Sequence, residues 1–212
     1  INNTDFQQIA ARGFETVRLP VRFSNHALTS APYTIDAAFM DRVEQVVDLA
    51  RAAGLRVILD LHHYEDPQGN IFTNPAGQTA RLAGMWAQIA ERFKEKDELV
   101  WFEILNEPHG QITHANLRSV LDPALAEIRK PNPNRPVVWG GEFWSGINSL
   151  DDIPIPPNDN RLVITFHYTI RSISLTRARR GSRRPHRRSA GPSRSAPISR
   201  TSRPMCRRRR IS

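Results

Sequence analysis

Short apolar runs of the kind that form buried strands alternate one for one with amphipathic helical stretches, and this restricts what the chain can fold into. Residues 16–23 (TVRLPVRF), 56–61 (RVILDL), 99–105 (LVWFEIL), 136–140 (PVVWG) and 162–167 (LVITFH) read as strands. Between them lies first a helix with Asp36 near its start, the stripe Phe39, Val43, Val46, Val47 and Ala50, and Gly54 at its end. A second helix over 78–93 places Leu82, Met85, Trp86, Ile89 and Phe93 on one side, and a third over 117–128 stops before Pro131 and Pro133. A short helical pattern over 5–12, ended by Gly13, precedes the first strand, and residues 147–150 hold at most a helical turn. Compact runs such as RVILDL suit strands covered on both faces, which is the situation in a parallel sheet. Parallel neighbours in turn require the crossover connections that the helices supply.

Two architectures satisfy this order: an open doubly wound sheet, and part of a (β/α)8 barrel. No glycine-rich phosphate loop follows any strand, which counts against the first. Side chains capable of chemistry gather instead at strand C-terminal ends: Arg18 near the end of the first, His62 and His63 after the second, Asn106 and Glu107 after the third, His167 at the end of the fifth. An α/β fold, a partial TIM (β/α)8 barrel with its site on the C-terminal rim, is therefore predicted. The segment 101–110 (WFEILNEPHG) is the most informative, because its strand delivers Asn106 and Glu107 to its own end and Pro108, lacking an N–H, stops pairing there. From those two residues alone, a solvated loop cap is an adequate account. Arg18 has a structural alternative as well, a buried ion pair with Glu103, and the two roles are compatible. His62 and His63 lie on opposite sides of an extended chain, so one is expected to face the cleft and the other to hydrogen-bond within the core. Paired histidines raise the possibility of a metal, but neither an HExxH spacing nor a nearby cysteine accompanies them, and none is expected. Trp86 and Trp101 read as core.

Four motifs stand in an order and at spacings that resemble glycoside hydrolase family 5, the cellulase family of retaining β-glycosidases on a (β/α)8 barrel: VRLPVRF around Arg18, LDLHHY at 59–64, FEILNEP at 102–108 and ITFHY at 164–168. The resemblance covers about residues 4–168. It implies that Glu107 is the catalytic acid/base, that Asn106 binds the 2-hydroxyl beside the scissile bond, and that Arg18 orients the nucleophile carboxylate. It further implies that His62, His63 and His167 line the cleft. Trp144, in GGEFWSG, matches an aromatic position near the family's site more loosely and is expected to stack on a pyranose face. The implied activity is cleavage of β-1,4-linked glucan by double displacement, with a β-glucan polysaccharide or oligosaccharide as partner and no cofactor. Double displacement needs a second carboxylate about 5 to 5.5 Å from the acid, which in the family is a Glu at the end of strand 7. The string GGEF at 140–143 imitates that motif, but Glu142 follows Glu107 by only about 35 residues and precedes ITFH, so it is placed after strand 5 and is not expected to attack. The resemblance begins in the first helix and ends after strand 6; five of eight strands are expected, and hydrolysis by this chain alone is not.

Charge divides the sequence at the same point. Residues 1–170 hold fifteen basic and all twenty-one acidic residues, an excess of six negative charges. Residues 171–212 hold the other fifteen basic residues, every one an Arg, with no Asp, Glu, Lys, Asn, Gln, Phe, Tyr or Trp. The formal +9 describes neither part. The first part has the apolar content to bury a core, whereas an Arg/Ser/Pro-rich tail cannot offset the entropy of ordering and is predicted to be disordered. Two regions follow, a partial catalytic barrel over 1–168 and a basic tail over 169–212. A one-base frameshift at Tyr168 accounts for the tail. A family-like continuation, Tyr-Asp-Pro-Phe-x-Phe-Thr-His-Gln-Gly-Ala-x-Trp, in GC-rich codons read one base late can spell the run observed over 169–181. The competing interpretation is a polycation that binds nucleic acid or anionic surfaces, with salt-sensitive affinity. The tail lacks the Lys and the stacking aromatics of a built binding module, so no specific nucleic acid is expected. Cys206, the only cysteine, lies in the tail, which excludes an internal disulfide. No apolar stretch approaches the roughly 18 residues of a membrane span, and the sequence opens at Ile1 with neither Met nor a charged-then-apolar run.

Overall fold

The computed structural model describes residues 1–67 and 69–168; the expectations for 169–212, disorder and a shifted frame, lie outside the described residues. Strands β1 (Thr16–Val21) and β2 (Arg56–Leu61) are followed by a small hairpin, β3 (Glu65–Asp66) and β4 (Gly69–Asn70), then by β5 (Val100–Glu103), β6 (Val137–Gly140) and β7 (Leu162–Thr165). Helices α1 (Asn3–Ala11), α2 (Ala37–Ala52), α3 (Pro75–Arg92) and α4 (Leu117–Arg129) connect or precede them. Among the described residues no helix is long and apolar enough to cross a membrane.

Five strands form one parallel sheet in the order β1-β2-β5-β6-β7, which is their order along the chain. A doubly wound sheet reverses direction at a switch point. Here each crossover steps the same way, so right-handed connections put the helices on a single face. That is the winding of a barrel segment. The helix-facing residues Val57, Leu59, Leu61, Phe102 and Val137 are fully buried. The opposite face carries a charged cluster, because the register that pairs Arg18 with Ile58 and Asp60 with Glu103 brings Arg18, Asp60 and Glu103 onto it together.

Local chemistry explains where elements begin. In α1, the Asn2 side chain accepts from Thr4 and Asp5 N–H groups while Asp5 reaches back to Asn2, a reciprocal cap. Helix α3 starts at Pro75, not at residue 78, since Asn74 caps it by accepting from Gly77 N–H at 3.1 Å and proline is preorganised for the first helical position. Trp86 is core, as expected, with its Nε1–H donating to Ile104 O at 2.9 Å. Trp101 is not. It projects from the inner face opposite Ile58, half-buried beneath the Arg56 guanidinium 4.7 Å from its ring centroid.

At the base of the sheet a single buried side chain gathers several chain ends. Arg135, 7% exposed, donates to Phe93 O and Lys96 O at 2.9 Å, Asp97 O at 3.0 Å, Val100 O at 2.6 Å and Asn132 Oδ1 at 2.8 Å. It thereby caps the C-terminal end of α3 and fixes the entry to β5. Burial holds its guanidinium below the ordinary arginine value, with Asp97 and Glu98 opposing the shift. Replacing Arg135 by Met keeps the stem but orphans those carbonyls, and buried unpaired acceptors cost about 1–3 kcal/mol each. Arg135→Met is expected to lower stability by at least about 3 kcal/mol, read as a reduced urea midpoint at unchanged m-value.

Candidate active site

The rim beyond the strand C-termini collects most of the predicted residues. Pairing continues past β5 through Asn106 N–H to Leu61 O at 3.0 Å, and the chain then turns sharply: Glu107 has φ 47°. Asn106, 5% exposed, turns its Oδ1 to Arg18 NH2 at 2.8 Å, so the group it can offer a ligand is its NH2 donor. Arg18 also grips Glu103 with two bonds, Nε to Oε2 at 2.6 Å and NH2 to Oε1 at 2.7 Å, and its NH2 lies 2.9 Å from Asp60 Oδ2. The ion pair with Glu103 thus exists, alongside a bond to the Asn106 amide.

Burial opposes the charge on Arg18, but the Glu103 hydrogen bond and the charges of Asp60, Glu103 and Glu107 outweigh it and raise its pKa. Asp60 is fully buried, and burial pushes its carboxyl up to about 6; His62 and Arg18 pull it down, while the neighbouring Glu103 charge pushes further up.

Three histidines reach the rim by different routes. His167 donates from Nδ1 to Glu107 Oε1 at 2.6 Å, and its own N–H is fixed to Ser145 O at 2.7 Å. His62 donates from Nδ1 to Asp60 Oδ2 at 2.6 Å. Of the pair, His62 is thus the one that hydrogen-bonds inward, to a buried carboxyl, whereas His63 is exposed, with φ 50°, and its ring stands edge-on against His62 at 4.2 Å. Strand β2 ends at Leu61, so period-2 geometry no longer applies to the two histidines. Trp144 is 54% exposed, and its ring is stacked on His109 at 4.9 Å and 12°. Glu142 faces the loop before α4, accepting from His114 N–H at 2.7 Å.

Non-glycine residues with positive φ concentrate here: His63, Glu107, Phe143, Trp144 and Ser145 all follow strand C-termini. Each costs about 1–2 kcal/mol and persists only where surroundings over-determine it. The 107–110 turn is held by the loop between β4 and α3, where Gln111 N–H donates to Phe72 O at 2.7 Å. Gly110, at φ 65°, sits so close that an added Cβ would lie 2.5 Å from Phe72 O. Sequence reasoning missed Asp60 and His109. An acidic residue inside the otherwise apolar run RVILDL was the available signal for Asp60, since a buried carboxylate needs a partner. Nothing in the sequence announces that His109 lies between Phe72 and Trp144, because that sandwich joins three separate loops.

Known proteins share this fold. The cellulase family, glycosyl hydrolase family 5, matches residues 1–178. Endoglucanase H of Acetivibrio thermocellus is 46% identical over 167 residues, covering 77% of this chain and 18% of that protein. Endoglucanase B of Ruminococcus albus is 33% identical, covering 73% of this chain and 41% of that protein. Among solved structures, the endoglucanase Cel5A of the hyperthermophile Thermotoga maritima superposes with a TM-score of 0.75 at 36% identity, over 79% of this chain and 53% of that one. A hyperthermophilic endo-β-1,4-glucanase solved with its substrate gives 0.76 at 35% identity, covering 80% and 53%. The chain thus spans about half the length of the solved relatives and less of the curated ones. Its parallel sheet, with helices on one face, is the partial (β/α)8 barrel of these glycosidases, and the chain belongs to the cellulases of glycoside hydrolase family 5.

Proposed function

We propose that this chain carries the acid/base side of an endo-β-1,4-glucanase site, with Glu107 as the proton donor. The observation that carries this is the 2.6 Å bond from His167 Nδ1–H to Glu107 Oε1, made at the mouth of the sheet beside Asn106 and Arg18. With Oε1 occupied as an acceptor, Oε2 is the oxygen that bears the transferable proton. In the first displacement Glu107 gives that proton to the glycosidic oxygen as the C1–O bond breaks and a carboxylate bonds to C1. In the second it takes a proton from the water that hydrolyses the glycosyl ester and regains its acid form. Asn106 donates its NH2 to the neighbouring 2-hydroxyl, His62, His63 and His167 line the cleft, and the exposed face of Trp144 stacks on a sugar ring. Arg18 orients the nucleophile through the same guanidinium that grips Glu103.

The attacking carboxylate is not assigned to any described residue. Glu103 and Asp60 are bound by Arg18, and Glu142 is bound by the His114 amide. We infer that this chain alone binds cello-oligosaccharides without turning them over. Trp86 and Trp139 are fully buried, and half-buried Trp101 lies beneath Arg56 at the start of β5, away from the rim, so a saccharide-induced change in tryptophan emission reports mainly on Trp144. Titration with cellotetraose is expected to change that emission, and Trp144→Ala to abolish the change. Reducing-sugar release from carboxymethylcellulose is expected to match that of Glu107→Gln. Release by the native chain that Glu107→Gln removes would show that a nucleophile is present, and silence to cellotetraose would overturn the cleft itself.

Asp60 gives the fold a definite pH signature. Its folded carboxyl titrates at about 6, above the ordinary 3.8, so the folded state binds that proton more tightly than the unfolded chain does. The stability from this group is fully present below about pH 4 and is lost as pH rises through about 6. Unfolding free energy measured by urea titration from pH 4 to 7 should therefore fall more steeply with pH in the native chain than in Asp60→Asn; parallel slopes would contradict the assignment.

A further inference from the structure

Glu107 occupies a left-handed backbone conformation, φ 47°, that costs about 1–2 kcal/mol and needs a local restraint. Its neighbours in sequence supply little, since Pro108 has no N–H to donate. The restraint comes from two residues on. His109 Nδ1 lies 2.7 Å from Glu107 O, and because a carbonyl only accepts, Nδ1 carries the proton. The other nitrogen, Nε2, lies 3.5 Å from Glu65 Oε1 on β3. Both faces of the ring are covered as well, by Phe72 at 3.9 Å and 20° and by Trp144 at 4.9 Å and 12°. An imidazole fixed on two faces cannot swing away from the carbonyl. A single hydrogen bond contributes about 0.5–1.5 kcal/mol, the same size as the strain it would offset.

We propose that His109 is a positioning residue for Glu107: its Nδ1–H holds the Glu107 carbonyl and so fixes the left-handed turn that aims the carboxyl at His167. The inference rests on Glu107 being the acid/base, and it deepens that assignment by tying the proton donor to the Trp144 platform through one ring. Trp144 closes the sandwich and also donates its backbone N–H to Pro108 O at 3.0 Å, so platform and acid/base share one rigid unit.

The test reads the position of the carboxyl, not turnover, so it can fail while the catalytic assignment stands, and the reverse. In the full chain, proton NMR should show a low-field imidazole signal from His167 Nδ1–H bonded to Glu107, identified by its disappearance in Glu107→Gln. His109→Phe keeps the three-ring stack but removes the donor; His109→Asn removes the ring but places an amide donor near the Nδ1 position. The signal is expected to vanish in His109→Phe and survive in His109→Asn, with both variants unfolding at temperatures close to that of the native chain. Survival in His109→Phe overturns the proposal. Loss in both folded variants also overturns it, because stacking rather than the hydrogen bond would then hold the turn. Absence of the signal from the native chain overturns it too.

Discussion

Two carboxyls, Asp60 and Glu103, face each other in register on adjacent strands, almost entirely out of solvent, and the Arg18 guanidinium on the next strand, together with the His62 bond to Asp60, makes that arrangement tenable. Desolvating an ionised carboxylate costs several kcal/mol even after relaxation, and a second like charge beside it adds to the cost. Arg18 answers this with a bidentate bond to Glu103 and a contact to Asp60, from a side chain that keeps its charge at any relevant pH. One positive group does not fully neutralise two negative ones. The residue that absorbs the mismatch is Asp60, whose carboxyl rises to about 6. Three strands are thus linked by charge on the face that the helices leave uncovered, and the Asn106 amide is oriented by the same cation.

That cluster also divides the labour of the molecule. Below and behind it, Val57, Leu59, Leu61 and Phe102 pack against the helices, and Arg135 ties the base loops together by satisfying backbone carbonyls. Above it the backbone becomes strained, with left-handed residues after β2, β5 and β6. A well-packed sheet can sustain several such residues, since their cost is small beside the burial beneath them. Chemistry-bearing side chains therefore sit on short, strained turns anchored to rigid strands, with Glu107 two residues from His109 and one hydrogen bond from His167.

Much of this was legible in the linear sequence. Apolar runs of five to eight residues between helical stripes match all five sheet strands to within two residues at every end, because a strand buried against helices has few other compositions open to it. Asn106, Glu107, Arg18 and His167 were found because a polar residue at the end of an apolar run is conspicuous. The failures are equally physical. The start of α3 was placed three residues late because the cap, Asn74 followed by Pro75, lies outside the apolar stripe. Trp101 was read as core since composition does not tell which face of a parallel strand the helices cover.

The order of elements, the parallel connectivity and the identity of the residues delivered to the rim were determined by the sequence alone, because hydrophobic period and strand-end chemistry are local properties. Which of those residues touch was decided only by tertiary structure. Arg18 and Glu103 are 85 residues apart, and His167 and Glu107 are 60 apart. The Phe72–His109–Trp144 stack joins loops after three different strands. Contacts of that range depend on sheet register and loop curvature, which no local pattern encodes; the same is true of the raised Asp60 carboxyl, a consequence of the charges the fold places around it.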